Sequence, residues 1–218
     1  MNRTLSPAFL LLALGALCFA VDDRQEPPLK YVLEINGKEH QLFVGKAVTI
    51  RGEFKDPTVL LKAASTRTFA YGDLTFRYPA SFTWEAEIEA PNEKTWTLSG
   101  NDFKILYFVL PAPLTVDDYA AAMVGQIGNN KSRIHASERE LGDRKYKGKR
   151  LAVDLAGTQL TMEIYAFPAK EGARLLVLQD SLGDDGKTSA EGARALKLLS
   201  ETFRDTAKGS DSGVGGGR

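Results

Sequence analysis

Between residues 29 and 36 apolar and polar positions alternate, with Tyr31, Leu33 and Ile35 on one side. This is the period-two pattern of a half-buried β-strand. Asn36-Gly37 follows, a pair suited to a type I′ hairpin turn, in which both central residues need positive φ. Leu42–Val44 and Ala47–Arg51 read as short strands around Gly45, Asp56-Pro57 as a turn, and Thr58–Lys62 as a further strand. Residues 29–66 are therefore expected to form a β-ribbon ahead of a larger body.

The body is placed at 67–206. Leu74–Tyr78, Phe82–Ile88 and Lys94–Leu98 predict its first strands. Phe103–Leu110 is apolar apart from Lys104, which predicts a strand in the middle of a sheet covered on both faces. Thr115 and Asp118 then form a capping box. Val116, Tyr119, Ala120, Met123, Val124 and Ile127 recur at helical spacing, and Gly128 ends the helix. Four more strands are predicted at Arg133–Glu140, Lys149–Leu155, Gln159–Phe167 and Ala173–Leu178. A second helix is expected from Ser189 to Phe203, with Thr188 and Glu191 as its capping box. Strands joined by short turns and interrupted by two amphipathic helices predict an α+β fold: an antiparallel β-sheet flanked by helices, with the ribbon as an N-terminal extension.

The two ends read differently from the middle. Residues 1–20 carry one charge, Arg3, and then an apolar or small run from Ala8 to Ala20. The run is shorter than the roughly 20 apolar residues a membrane-spanning helix needs. It suits a cleavable signal peptide, with Cys18 and Ala20 as the small residues before a cut after Ala20. Lipidation at Cys18 stays open as an alternative, although Leu17 stands where a lipoprotein signal needs a small residue. Residues 21–28 read as an extended, loose entry. The Gly- and Ser-rich stretch at 207–218 is expected to be disordered, because it holds too little apolar surface to offset the entropy of ordering it.

Composition narrows the function classes. The chain has 28 Lys and Arg against 28 Asp and Glu, so no net charge draws it to nucleic acid or an anionic membrane. Its single cysteine, Cys18, leaves with the signal. The remaining chain then has no disulfide, no thiol nucleophile and no Cys zinc site. After cleavage no transmembrane span is expected, and the oligomeric state is left open.

The pattern resembles the PsbP-like and DcrB-like superfamily. The residues carrying the resemblance are the Phe76–Pro79 strand with Trp84 soon after, the apolar strand Phe103–Leu110 and the helix beginning at Thr115–Asp118. Further on they are the Tyr146–Gly148 turn into Lys149–Leu155, the run Leu175–Asp180 and the helix ending at Phe203. The match spans about 68–205 and leaves the ribbon outside. The resemblance implies a binding or accessory protein, and it carries over no catalytic residue and no ligand.

Candidate chemistry is sparse. Gly142–Lys149 has five residues between its glycines and Arg150 in place of the Ser or Thr of a P-loop. What remains is a basic turn of Arg144, Lys145, Lys147, Lys149 and Arg150 around Tyr146, a candidate contact for an anionic lipid, glycan or acidic partner. Asp184-Asp185-Gly186 fails the EF-hand spacing. His40 and His135 stand alone, and no Gly-x-Ser-x-Gly is present. Trp84 and Trp96 read as core before they read as a sugar platform. No catalytic residue, metal ligand or cofactor is expected. The favoured reading is an exported, periplasmic or secreted, non-catalytic binding or accessory protein of the cell envelope. A hydrolase with paired carboxylates and a metal- or small-ligand-binding protein are the alternatives.

Overall fold

The computed structural model describes residues 22–90, 93–128, 131–155 and 157–207. The predicted signal peptide, its cut and nearly all of the predicted tail lie outside the described residues. The ribbon is β1 (Tyr31–Ile35), β2 (Lys38–Leu42) and β3 (Val59–Ala63). Asn36 and Gly37 turn β1 into β2 with φ of 49° and 79°. Residues 43–58 hold no strand, so the expected strand at Ala47–Arg51 does not form.

The body runs β4 (Thr66–Tyr71), β5 (Leu74–Pro79), β6 (Thr83–Ala90), β7 (Glu93–Ser99) and β8 (Phe103–Leu110), then α1 (Val116–Ile127). It continues through β9 (Ser132–Leu141), β10 (Arg144–Leu155), β11 (Thr158–Phe167), β12 (Ala173–Ser181), α2 (Ala190–Thr202) and β13 (Arg204–Asp205). Seven strands form the main antiparallel sheet in the order β6-β7-β8-β12-β11-β10-β9, and β13-β5-β4 form a second, smaller one.

The expected fold, a sheet flanked by helices, is corrected by this topology. Strands account for 51% of the described residues and helices for 15%. The small sheet does most of the covering that was assigned to a helix. Phe69, Phe76 and Tyr78 from the small sheet pack onto Trp96, Leu98, Ile105, Tyr107 and Leu176 from the large one, in an aromatic-rich core shared with Ala195, Leu199 and Phe203. Two sheets closing on one interior layer is the logic of a β-sandwich. The alternating apolar residues of β4 and β5 make this possible, since Phe69, Tyr71, Leu74, Phe76 and Tyr78 all turn inward. Helix α1 lies over the opposite face, with Val116, Tyr119, Met123 and Ile127 against Leu151, Val153, Ile164 and Val177. With both faces covered, the central strand β12 is buried at six successive positions from Ala173 to Leu178.

Two polar devices fix the periphery. Residues 22–28, expected to be loose, are tied to the aromatic core. Trp96 donates its indole N–H to the Asp23 carbonyl at 2.8 Å, and Tyr71 donates its hydroxyl to the Gln25 carbonyl at 2.5 Å. Arg67 and Lys94 pair with Glu26 and Asp23. At the other end Arg174 pairs with Asp205 at 3.1 Å, with side chains 5% and 1% exposed, which holds β13 against the body. The N-cap of α2 is Ser189, whose hydroxyl accepts from the Gly192 amide. Glu191 does not complete the predicted capping box and instead accepts from the Asp102 and Phe103 amides.

Candidate functional site

The shared core gives out toward β9, and there the same face of the main sheet turns polar. Because a strand alternates its faces, Arg133, His135, Ser137 and Arg139 of β9 lie on one side with Leu141. Arg150 of β10 stands opposite both His135 and Glu163, and Ala152 stands between Arg133 and Thr161. Asp180 of β12 is opposite Thr161. The result is a cleft of about 390 Å³ lined by Arg133, Ala152, Asp154, Gln159 and Thr161. It adjoins a pocket of about 90 Å³ lined by Arg139, Arg150, Thr161, Glu163 and Asp180.

A hydrogen-bonded chain forms the wall of the smaller pocket. Arg139 donates to Glu163 at 2.6 Å, Tyr165 donates to the same carboxylate oxygen at 2.8 Å, and the Tyr165 and Ser137 hydroxyls are 2.9 Å apart. Burial alone would raise the Glu163 carboxyl, but the hydrogen bond and charge of Arg139 overcome it and hold the group below the usual carboxylate range. Burial pushes the Tyr165 phenol up to about 12. These two contacting groups are driven away from neutrality in opposite directions, so neither is poised to move a proton near pH 7. Asp180 accepts from the amide and hydroxyl of Ser189 at 3.2 and 2.7 Å.

The five basic residues singled out from the sequence do not form one cluster. The turn is Gly142-Asp143, and β10 begins at Arg144. The pleat places Arg144 and Arg150 on the core-side face, and Lys145, Lys147 and Lys149 on the α1 side. Lys149 pairs with Asp117 at 2.9 Å and Lys145 with Glu138 at 3.7 Å, while Arg144 lies 3.9 Å from Asp143. Arg150 alone of the five lines the polar pocket. The partners that sequence reading missed are Arg133, Arg139, Thr161 and Glu163. Their signal was present in Arg133, His135, Ser137 and Arg139, a run in which every second residue of a strand is polar.

The other candidates separate. His40 sits on β2 opposite Leu33, whereas His135 is on the main sheet. Trp96 is core at 1% exposure, and Trp84 packs against that core. Asp185 accepts from Lys187 in an exposed loop. No group of three or more His, Cys, Asp or Glu side chains placed to hold a metal ion occurs among the described residues. No helix among them is long and apolar enough to cross a membrane.

A second surface lies on the ribbon. Its sheet order is β2-β1-β3, and the register aligns Tyr31, Leu33 and Ile35 with Ala63, Leu61 and Val59, and Tyr31 with Leu42. These side chains share one face. Strand β3 is an outer strand, and Val59, Leu60 and Leu61 are 55%, 48% and 57% exposed. Lys62 and Glu34 pair on the opposite face at 2.5 Å.

No family model and no curated protein matches the chain.

Proposed function

We propose that this chain is an exported, non-catalytic accessory protein of the cell envelope that docks a protein partner through its N-terminal ribbon. The observation carrying this reading is the apolar outer strand Val59–Leu61, exposed beside an unpaired backbone edge. Such an edge is an aggregation hazard unless something covers it. An extended segment of another protein that adds a strand would satisfy the edge amides and cover the apolar face together. The signal-like residues 1–20 support export. The resemblance to PsbP-like and DcrB-like proteins leans toward the same accessory role.

The test is a photo-crosslinking residue placed at position 61 of the full chain in its native host. One discrete adduct with an envelope protein is expected, with none from the same probe at Lys197 on α2. Indistinguishable labelling from the two positions would sink the reading. An adduct of twice the chain mass would replace the accessory partner with a second copy.

A further inference from the structure

We propose that the polar cleft between β9, β10 and β11, where it meets the adjoining pocket, is a binding site for a phosphoryl oxyanion, held by Arg133 of the cleft, Arg150 of the pocket and the Thr161 hydroxyl at their junction. The case begins with shape. Arg133, Ala152 and Thr161 stand side by side on three neighbouring strands. A methyl group between a long guanidinium and a short hydroxyl leaves a depression in the sheet face. Its volume of about 390 Å³ falls within the range of small-molecule sites.

Charge decides the sign of the ligand. The cleft and its adjoining pocket are lined by Lys131, Arg133, Arg139 and Arg150 against Asp154, Glu163 and Asp180, an excess of one positive charge, and the acids accept hydrogen bonds within the fold: Glu163 from Arg139 and Tyr165, Asp180 from Ser189, and Asp154 from the Gly157 amide at 3.1 Å. Arg133 and Arg150 take part in none of the ion pairs among the described residues. Arg150 faces Glu163 across the strand pair and its charge acts on that carboxylate, whose hydrogen bonds come from Arg139 and Tyr165. Arg133 at the cleft and Arg150 at the adjoining pocket therefore hold donors in reserve.

Thr161 supplies the third donor and marks the floor. It is 6% exposed, lines both the cleft and the adjoining pocket, and its hydroxyl makes none of the side-chain hydrogen bonds among the described residues. Because Thr161 lines both cavities, it is placed at their junction, within reach of a group that enters the cleft. A carboxylate is satisfied by one guanidinium fork. Two forks from neighbouring strands plus a hydroxyl on the third fit a tetrahedral oxyanion, which offers acceptors in several directions. The oxyanion is either free phosphate or the phosphomonoester of a larger ligand.

The experiment titrates the full chain with inorganic phosphate and, separately, with glycerol phosphate, by calorimetry and by amide chemical-shift mapping. Saturable binding is expected, with the shifted amides centred on Ala152 and Thr161. Arg150→Gln is expected to weaken it by about tenfold or more, and Thr161→Val by a few-fold, as the loss of a charge-assisted and of a neutral hydrogen bond imply. Lys197→Gln on α2 leaves it unchanged. Glycerol phosphate binding more tightly than phosphate assigns the site to a phosphomonoester, and the reverse assigns it to free phosphate. No saturation at roughly 10 mM of either probe, or shifts centred away from these strands in the wild-type chain, overturns the proposal. So does equal loss of affinity in Arg150→Gln and Lys197→Gln, which would mean only diffuse charge attraction. The shift map needs no variant, so a poorly folded Arg150→Gln leaves the proposal open to refutation.

Discussion

The ring of Tyr165 lies across Gly148, its cross-strand partner, and through that contact the Tyr165 hydroxyl reaches Ser137 one strand further on. A Cβ built on Gly148 would stand 2.7 Å from the Tyr165 ring and 2.1 Å from the Ile164 carbonyl oxygen. Gly148 is thus a close-approach glycine within a strand. The Ile164 oxygen is main chain and cannot swing aside. Gly148→Ala is therefore expected to destabilise the fold by about 2 kcal/mol, the usual cost of overpacking. Urea denaturation of the two proteins measures it. A gain in stability, as Gly→Ala gives where the backbone is unstrained and space is open, would refute the contact.

Glu163 makes the fold sensitive to acid. Its carboxyl is held below the usual carboxylate range in the folded chain, whereas in the unfolded chain it returns to about 4.3. A depressed folded value means stability that is fully present above the unfolded value and is lost as pH falls through the folded one. Glu163→Gln is expected to be less stable than wild type at pH 7, with the difference narrowing as pH drops through and below about 4. Thermal unfolding of both proteins across that window provides the measurement. Parallel curves would show that Arg139 and Tyr165 do not hold the ionised form.

These two residues also show why the site was only partly legible in the sequence. Gly148 reads as turn punctuation because glycine marks turns far more often than it marks a ring crossing a sheet, so the pattern predicts a strand starting only at Lys149 and a basic turn before it. Once β10 runs from Arg144, the pleat scatters that cluster and leaves Arg150 in the cleft. The apolar strand Phe103–Leu110 and the capping box at Thr115 were readable because each is a local pattern. The second sheet was not. Its β13 is two residues long and pairs with β5 across most of the chain, a relationship with no local signature. Without it, the inward aromatic row of β4 and β5 has no visible counterpart and a helix is the natural cover to expect.

The pair Arg174–Asp205 is the chemical reason that β13 stays in place. Arg174 also donates to the Tyr107 hydroxyl and the Pro168 carbonyl, both at 2.8 Å. Removing one partner leaves the other charge buried and unpaired. Asp205→Ala is expected to cost about 3–5 kcal/mol, whereas replacing both residues with apolar ones of similar size costs far less. Chemical denaturation of the single and double variants decides between this account and a pair of no consequence, for which the single variant would unfold like wild type.

The anchoring of residues 22–28 bears on where a chain processed for export would begin. A cut after Ala20 leaves Asp23 and Gln25 on the mature protein, and their carbonyls accept from Trp96 and Tyr71. Glu26 and Pro27 are held through Arg67, and Pro27 is buried. A cut several residues later would strip these acceptors from the core and open its aromatic edge to water. Two lost hydrogen bonds at about 1 kcal/mol each, plus the uncovered apolar surface, predict that a chain starting at Leu29 is about 2–4 kcal/mol less stable than one starting at Val21. The intact mass of the exported product is expected to correspond to Val21 as its first residue. A product beginning beyond Pro28, or equal stability of the two forms in urea, would mean that the segment is packing decoration and not part of the mature fold.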